Sequence, residues 1–111
     1  MDVKEKVSNE VVSGVKNIFG EKLKKVILYG SYARGDYDAQ SDIDIMVLAD
    51  IERDKILDYR PQIRRISNDL GLENDVFVSL MLNSEKYFLV NLPVSNFYRN
   101  VIKDGKVLYN G

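Results

Sequence analysis

The chain has 111 residues, of which 45% are hydrophobic and 30% are charged, and its formal net charge is −1. These values indicate one small globular domain, residues 1–111, and argue against strong binding of nucleic acid or anionic membrane, which needs a surplus of Lys and Arg. Cysteine and histidine are absent, which excludes disulfides, thiolate or imidazole metal sites and histidine acid–base chemistry, so that any metal would be a hard cation bound by oxygen.

The first predicted element is an amphipathic helix, in which apolar side chains recur every three or four residues up to Gly20, the predicted stop. A short strand, VILY (26–29), follows it. Residues 31–34 suit a single helical turn, and residues 36–41 (DYDAQS) read as a polar turn. The segment DIDIMVLAD, from Asp42, alternates and then becomes continuously apolar, which predicts a buried strand.

A second helix is predicted from the helical spacing of apolar residues between positions 56 and 70, with Gly71 as its stop. Pro61 lies inside that pattern and is expected to kink the helix or to restart it near Tyr59. Residues 74–82 (NDVFVSLML) read as another strand.

Two short helices, one over 84–92 and one around 97–102, and a turn plus strand over 104–109 complete the predicted elements. Strands alternate with helices, and no internal repeat or linker interrupts them. The order predicts an α/β (α+β) fold, with helices packed against one small mixed β-sheet.

Asp42 and Asp44 lie at the start of the second strand. Because side chains alternate in a strand, both carboxylates point the same way while Ile43 and Ile45 point into the core, with the two aspartate Cβ atoms about 6–7 Å apart. That separation suits one or two divalent cations held between them. The alternative is that Asp42 caps a turn and Asp44 faces solvent.

The glycine turn upstream has features of a phosphate site. Gly30 allows the backbone to approach a ligand closely, and a short helix from Ser31 directs N–H groups at an anion. Ser31 adds a hydroxyl, and Arg34 is either a phosphate contact or a solvated cation at the helix end.

Two other motifs fail on these residues. A P-loop is rejected because Asp36-Tyr37 stands where Lys-Ser/Thr is required. An EF-hand loop is rejected because its sixth and twelfth positions are Ser41 and Val47. Asp36 and Asp38 are therefore interpreted as solvated loop residues.

Gly30-Ser31, ten intervening residues and Asp42-Ile43-Asp44 form the pattern GSx10DxD. The pattern resembles the signature of the DNA polymerase β-like nucleotidyltransferase superfamily. The stretch GSYARGDYDAQSDIDIMV is most similar to its minimal nucleotidyltransferases (the MNT family), whose chains are about this short. The similarity extends from the first helix to the closing Gly-Lys-Val-Leu-Tyr, and it implies the polymerase β-like palm fold.

The resemblance also implies a third carboxylate, on a later strand beside the D-x-D strand. Asp75 matches it, at the head of NDVFVSL with Val76 and Val78 pointing to the core. Glu73 could compete for the role, but it lies at the loop edge. Without the family pattern, Asp75 could equally be a turn residue at the start of a strand.

By resemblance, the chain would transfer a nucleoside monophosphate, expected to be AMP from ATP, to an acceptor hydroxyl and release pyrophosphate. Asp42 and Asp44 would hold two Mg²⁺ ions. Asp75 would help to hold one of them and could accept the proton of the attacking hydroxyl. Gly30 and Ser31 would position the phosphates of the nucleoside triphosphate.

Larger relatives hold the acceptor in a second helical domain, and the 36 residues after Asp75 are too few for one. The resemblance implies a helical HEPN protein as partner, a toxin that this chain would neutralise, as antitoxin, by adenylylating a tyrosine. The contrasting hypothesis is a non-catalytic antitoxin or nucleotide-binding module that acts by contact. Its surface could include exposed members of an aromatic set, of which the last three are expected to pack internally: Tyr32, Tyr37, Tyr87, Phe88, Phe97 and Tyr98.

No apolar run approaches the roughly 20 residues of a membrane span, and the N-terminus lacks the apolar core of a signal peptide. We therefore expect a cytoplasmic protein with no membrane partner. The nucleotide preference stays open, and so does the oligomeric state, including a homo-oligomer.

Overall fold

The computed structural model describes residues 2–111, which form a four-stranded mixed sheet with helices on both faces. The elements in chain order are α1 (Val3–Phe19), β1 (Leu23–Tyr29), α2 (Ser31–Arg34), β2 (Ile43–Ala49), α3 (Ile56–Asn74), β3 (Val78–Ser84), α4 (Glu85–Asn91), α5 (Asn96–Asp104) and β4 (Lys106–Asn110). Single 3₁₀ turns, Gly20–Lys22 and Arg53–Lys55, precede β1 and α3. Within the described residues, no helix has the length and apolar character that crossing a membrane requires. The predicted fold class is confirmed.

The strand order is β3-β2-β1-β4, so β1 and β2 are central and β3 and β4 are the two edges. β2 and β3 are parallel, and the other two pairs are antiparallel. In this register Asp44 has Tyr29 on one side and Ser79 on the other. The side chains at these three positions therefore share one face of the sheet.

The larger core lies between α1, α3 and one face of the sheet. In α1 the inward positions recur every fourth residue, and Val7, Val11 and Val15 are fully buried. Asp2 caps this helix by accepting the Glu5 N–H at 2.8 Å. The predicted first helix is confirmed, and it holds the inner side of β1 and β2 in place.

The smaller core covers the opposite face of the sheet with α4 and α5. Phe88 is fully buried there and Val101 is 1% exposed, and both belong to one apolar cluster with Met46 of β2. The ring of Tyr98 lies 4.6 Å from that of Phe88, whereas Phe97 is 41% exposed. Internal packing is thus confirmed for Phe88 and Tyr98, and only in part for Phe97.

The structure corrects the predicted end of α3, which continues past Gly71 to Asn74. Asp75 then adopts the left-handed conformation (φ 52°), a helix end that Asp tolerates better than most residues. A Cβ atom on Gly71 would lie 2.8 Å from the Val76 carbonyl oxygen, so this glycine allows the chain to turn back closely. The strand predicted to begin at residue 74 consequently begins at Val78.

α3 also runs through Pro61 without restarting near Tyr59. Proline removes the N–H that would bond to the carbonyl four residues earlier, at Leu57. Leu57 lies on the exposed side of the helix, where water can hydrate that carbonyl.

Candidate active site

The glycine turn and the aspartate pair lie at the same end of the sheet. β1 and β2 are antiparallel neighbours, and Tyr29 at the end of β1 pairs with Asp44 near the start of β2. Gly30 and Ser31 follow Tyr29 directly. Strand pairing therefore brings the two halves of the GSx10DxD pattern side by side.

Gly30 is shaped by its contact with Asp44. Its φ angle is 74°, and a Cβ atom at this position would lie 2.5 Å from one carboxylate oxygen of Asp44. Both the backbone conformation and the space disfavour a residue with a side chain. The missing side chain lets a carboxylate lie directly against the start of α2.

α2 is a single turn that the two glycines delimit. The Gly30 carbonyl accepts the N–H groups of Ala33 and Arg34 at 3.1 Å, and Gly35 ends the turn in the left-handed conformation (φ 88°). The predicted one-turn helix over 31–34 is confirmed. The first N–H groups of a helix have no partner within the helix, and here they adjoin the Asp44 end of β2.

Asp42 and Asp44 form an electrostatically unfavourable pair. Burial raises the pKa of Asp44, the charge of Asp42 raises it further, and the charge of Arg34 lowers it. Among residues 2–111, neither carboxylate has a hydrogen bond or ion pair. The neighbouring Ile43 and Ile45 are fully buried, as strand alternation predicts.

The donor chemistry of this pair fits a hard divalent cation. Mg²⁺ is typically held by one or two carboxylates, with water and substrate phosphates as its remaining ligands. Asp42 and Asp44 provide two such carboxylates without competing partners. In the part of the chain that the structure describes, no group of three or more acidic residues gathers as a metal site.

Asp36 and Asp38 are exposed and bonded within the loop, which confirms their interpretation as solvated loop residues. The Asp38 carboxylate accepts the Gln40 N–H at 2.8 Å and the Ser41 hydroxyl at 3.3 Å. Asp36 pairs with Arg34 at 3.2 Å. These contacts hold the turn that leads into β2.

Arg34 takes part in two ion pairs among the described residues. Besides Asp36 it approaches the Asp104 carboxylate at 3.9 Å, and its side chain is 45% exposed. Its charge also acts on Asp44, whose pKa it lowers. The guanidinium is thus close enough to the site to act on an anion there.

Asp75 lies away from the strand on which the sequence placed it. It is the exposed left-handed residue that ends α3, and Glu73 is exposed one residue inside that helix end. A groove of about 610 Å³ joins Asp75 to Ser41 and Phe77. Asp75 therefore lies near the N-terminal ends of β2 and β3. It does not complete a three-carboxylate group with Asp42 and Asp44.

Tyr29 is a site residue that the sequence did not reveal. It faces Asp44 across the strand pair, and burial, followed by the charge of Asp44, raises its pKa to about 12. Its ring also meets Phe97 edge-on, with centroids 5.6 Å apart. In the sequence, Tyr29 is distinguished only as the last strand residue before Gly-Ser. Its place beside Asp44 follows from the register of β1 with β2.

Tyr32 and Tyr37 stack against each other over the loop, with ring centroids 4.1 Å apart and planes 11° from parallel. Tyr37 remains 46% exposed. The stack ties α2 to the turn that precedes β2.

The chain matches known proteins over most of its length. Residues 9–109 match the family model described as a nucleotidyltransferase domain. A protein of Methanocaldococcus jannaschii, provisionally named a protein adenylyltransferase, is 38% identical over 105 residues, which are 95% of this chain and 97% of that relative.

Two solved structures give the same comparison in three dimensions. A toxin–antitoxin crystal structure with AMP-PNP aligns with a TM-score of 0.63 at 25% identity, over 94% of this chain and 73% of that chain. A crystal structure from Sulfolobus solfataricus, provisionally named a nucleotidyltransferase, aligns with a TM-score of 0.65 at 25% identity, over 95% of this chain and 78% of that chain.

Proposed function

The chain belongs to the nucleotidyltransferase domain family, and on that premise we propose that it transfers AMP from ATP to a tyrosine hydroxyl of a helical HEPN toxin, as the antitoxin of that pair. The observation that carries the proposal is the contact between Gly30 and Asp44. It puts a turn suited to phosphates against a carboxylate suited to a metal.

Gly30 and Ser31 bind the triphosphate in this proposal, through N–H groups at the start of α2 and the Ser31 hydroxyl. Arg34 adds a contact to a phosphate oxygen, which its effect on Asp44 supports. These three residues orient the triphosphate so that its α-phosphorus faces the acceptor.

Asp42 and Asp44 would hold Mg²⁺, with two ions expected from the family pattern. The sequence match assigns the third carboxylate to Asp75, which lies at the end of α3 and does not form a three-carboxylate group with the other two. The Asp42 and Asp44 roles are supported by their unpartnered carboxylates, whereas the Asp75 role rests on the sequence match. When bound, the metal neutralises the triphosphate charge and lowers the pKa of the attacking hydroxyl.

The reaction exchanges one phosphorus–oxygen bond for another. The acceptor oxygen forms a bond to the α-phosphorus of ATP, and the bond between that phosphorus and the oxygen leading to the β-phosphate breaks. Pyrophosphate leaves, and by the family pattern the hydroxyl proton would pass to the Asp75 carboxylate.

Two observations on similar proteins support a protein acceptor and an antitoxin role. The Methanocaldococcus jannaschii relative carries the name of a protein adenylyltransferase and has nearly the same length. A structural neighbour is a toxin–antitoxin pair that was solved with an ATP analogue.

The test is incubation of the purified chain with Mg²⁺, the protein encoded by the adjacent gene, and ATP labelled at either the α- or the γ-phosphate. We expect the partner to become labelled from α-labelled ATP only, with mass spectrometry locating the AMP on a tyrosine. Label from γ-labelled ATP would indicate a kinase and contradict the proposal.

The double variant Asp42→Asn, Asp44→Asn distinguishes the catalytic proposal from the hypothesis that the chain neutralises its partner by contact alone. We expect this variant to transfer no label and to leave the toxin active. Neutralisation by a variant that transfers no label would replace the catalytic proposal with the contact one.

A further inference from the structure

β3 is an open edge of the sheet. Among residues 2–111 it pairs with β2 on one side and with no strand on the other. The Ile43 N–H donates to the Phe77 carbonyl at 2.9 Å, so the parallel ladder uses the odd-numbered residues of this segment. The N–H and C=O groups of Val78, Leu80 and Leu82 consequently point away from the sheet.

This edge lacks the features that usually block strand addition. Its sequence, VSLMLNS, contains no charge and no proline, and all seven residues pair with β2 in register. The opposite edge, β4, has an irregular register against β1 and begins with Lys106. The two edges therefore differ in how readily they can accept another strand.

A groove of about 310 Å³ runs between α3 and β3, and we call it the edge groove. It is lined by Arg60, Arg64 and Ser67 from α3 and by Leu80 and Leu82 from β3. Both arginines are exposed. The ion pairs that the described residues form both involve Arg34, so neither groove arginine has a carboxylate partner.

The positive charges of the two groove arginines repel each other weakly. Arg60 and Arg64 are four residues apart on one helix, a spacing at which like charges repel. The whole chain has a net charge of −1, so composition does not force positive charge onto this face. A ligand with negative groups would relieve the repulsion.

The other face of β3 carries two exposed apolar side chains. Phe77, just before the strand, is 79% exposed, and Met81 is 40% exposed. An extended segment beside β3 would therefore meet arginines on one face and apolar side chains on the other. In a strand these two faces receive alternate residues.

We propose that an extended segment of the protein partner, alternating acidic and apolar residues, adds as a fifth strand to the open edge of β3. Its carboxylates pair with Arg60 and Arg64, and its apolar side chains cover Phe77 and Met81. Four residues of helix rise about 6 Å, and two residues of strand rise about 6.6 Å. Two acidic residues at alternate positions thus match the spacing of the two arginines.

A second copy of this chain is a poorer occupant of the same edge. β3 carries no carboxylate, and an antiparallel pairing of two β3 strands would bring four unpaired arginines to one interface. A nucleic acid would satisfy the arginines, but it would leave the outward N–H and C=O groups of Val78, Leu80 and Leu82 without strand partners.

The edge groove adjoins the groove at Asp75, because Ser67 lines both. A segment that docks on β3 can therefore continue toward the start of β2. The inference rests on the proposed function only in taking the docked protein as the acceptor, since docking itself does not require transfer.

The probe is a fluorescein-labelled ten-residue peptide of alternating Glu and Val, and its binding to the full chain is measured by fluorescence anisotropy. We expect Arg64→Glu to weaken binding at least about tenfold, because it reverses a charge that faces the peptide. Arg65→Glu is the matched control, since Arg65 is an exposed arginine of the same helix that does not line the edge groove. It should change the affinity less than twofold.

Backbone pairing is tested on the peptide, so that the protein is not altered. Two versions with N-methyl groups on the odd or on the even residues cover both registers, and we expect one of them to lose binding. Equal binding by both versions overturns strand addition. So does equal weakening by Arg64→Glu and Arg65→Glu, an absence of binding by the wild-type chain, or displacement of the peptide by a uridine decamer at equal concentration.

The same titration separates this inference from the proposed reaction. Asp44→Asn should abolish AMP transfer and leave peptide affinity within twofold of wild type, because Asp44 lies on β2, one strand inward from the open edge, and does not line the edge groove. Peptide binding without any AMP transfer by the wild-type chain would refute the proposed reaction and leave the docking surface intact.

Discussion

Asp36–Asp38 and Asp42–Asp44 have the same spacing in sequence and lie six residues apart, the first pair in a turn and the second at the start of β2. In the turn, Asp36 meets Arg34 and Asp38 accepts two hydrogen bonds. At β2, neither carboxylate has a partner among the described residues, and the pKa of Asp44 is raised.

The difference shows that backbone conformation, rather than the residue pattern, decides what an acidic pair can do. A turn presents N–H and hydroxyl groups to its own carboxylates and thereby satisfies them. A central strand directs its N–H groups at neighbouring strands, so its side chains must find partners elsewhere. The pair at β2 is left available for a ligand.

The largest expected effect is on the rate of AMP transfer, when each aspartate pair is mutated in turn. Asp42→Asn with Asp44→Asn should lower the initial rate of AMP transfer by at least about 1,000-fold, because it removes the proposed metal ligands. Asp36→Asn with Asp38→Asn should stay within about threefold of wild type, measured with the same labelled ATP. A comparable loss in both double variants would mean that the two pairs do not differ in function.

The two glycines that flank α2 extend the comparison to the free energy of unfolding, because Gly30 adjoins Asp44 and Gly35 does not. Gly30→Ala should lower the free energy of unfolding by about 2–3 kcal/mol, since it combines a strained positive φ with displacement of the Asp44 carboxylate. Gly35→Ala meets nothing within 4 Å and carries only the strain of positive φ, about 1 kcal/mol. Urea unfolding of both variants measures the difference, and equal losses would show that the contact with Asp44 is not tight.

The comparison also explains which parts of this molecule were predictable from sequence. The isoleucines flanking Asp44 predicted its orientation, because alternation in a strand is a local property. The end of α3 was not predictable, since Gly71 serves a close approach to Val76 that arises only in the folded chain. Asp75 was misplaced for the same reason, because an Asp at a left-handed helix end resembles an Asp at the start of a strand.

The site was predictable to the extent that it is local in sequence. The one-turn helix between two glycines and the aspartates at β2 are each short-range patterns. Tyr29 becomes part of the site only through the register of β1 with β2, and no local pattern encodes that pairing. The open edge of β3 likewise depends on strand order.

In the turn, removing a carboxylate should destabilise the protein. Asp38→Ala deletes the acceptor of the Gln40 N–H and the Ser41 hydroxyl. Because the loop is exposed, water partly replaces both bonds, and we expect a loss of about 0.5–1 kcal/mol in the free energy of unfolding. Urea unfolding at pH 7 with EDTA is the measurement, and Asp38→Asn, which keeps an acceptor oxygen, should recover most of the loss.

At β2, removing a carboxylate should instead stabilise the protein. Asp44→Asn takes away a charge that burial and Asp42 disfavour, so we expect a gain of a few tenths of a kcal/mol, kept small by solvent screening at this half-exposed site. The pKa of Asp44 is raised in the folded state, so the destabilisation is present above that pKa and disappears below about pH 3.9, the ordinary value for Asp. The gain from Asp44→Asn should therefore be seen at pH 7 with EDTA and vanish at low pH.

Mg²⁺ provides the control for this smallest effect. With a cation bound at Asp42 and Asp44, Asp44→Asn should lower stability relative to wild type instead of raising it. Adding Mg²⁺ should raise the Tm of the wild-type chain through binding to the folded state, and it should leave the Tm of Asp44→Asn nearly unchanged. Asp38→Asn should respond to Mg²⁺ as wild type does, since its carboxylate is engaged in the turn. A lower Tm for Asp44→Asn in EDTA would show that the β2 carboxylate is satisfied within the fold, and that the contrast between the two pairs is one of position alone.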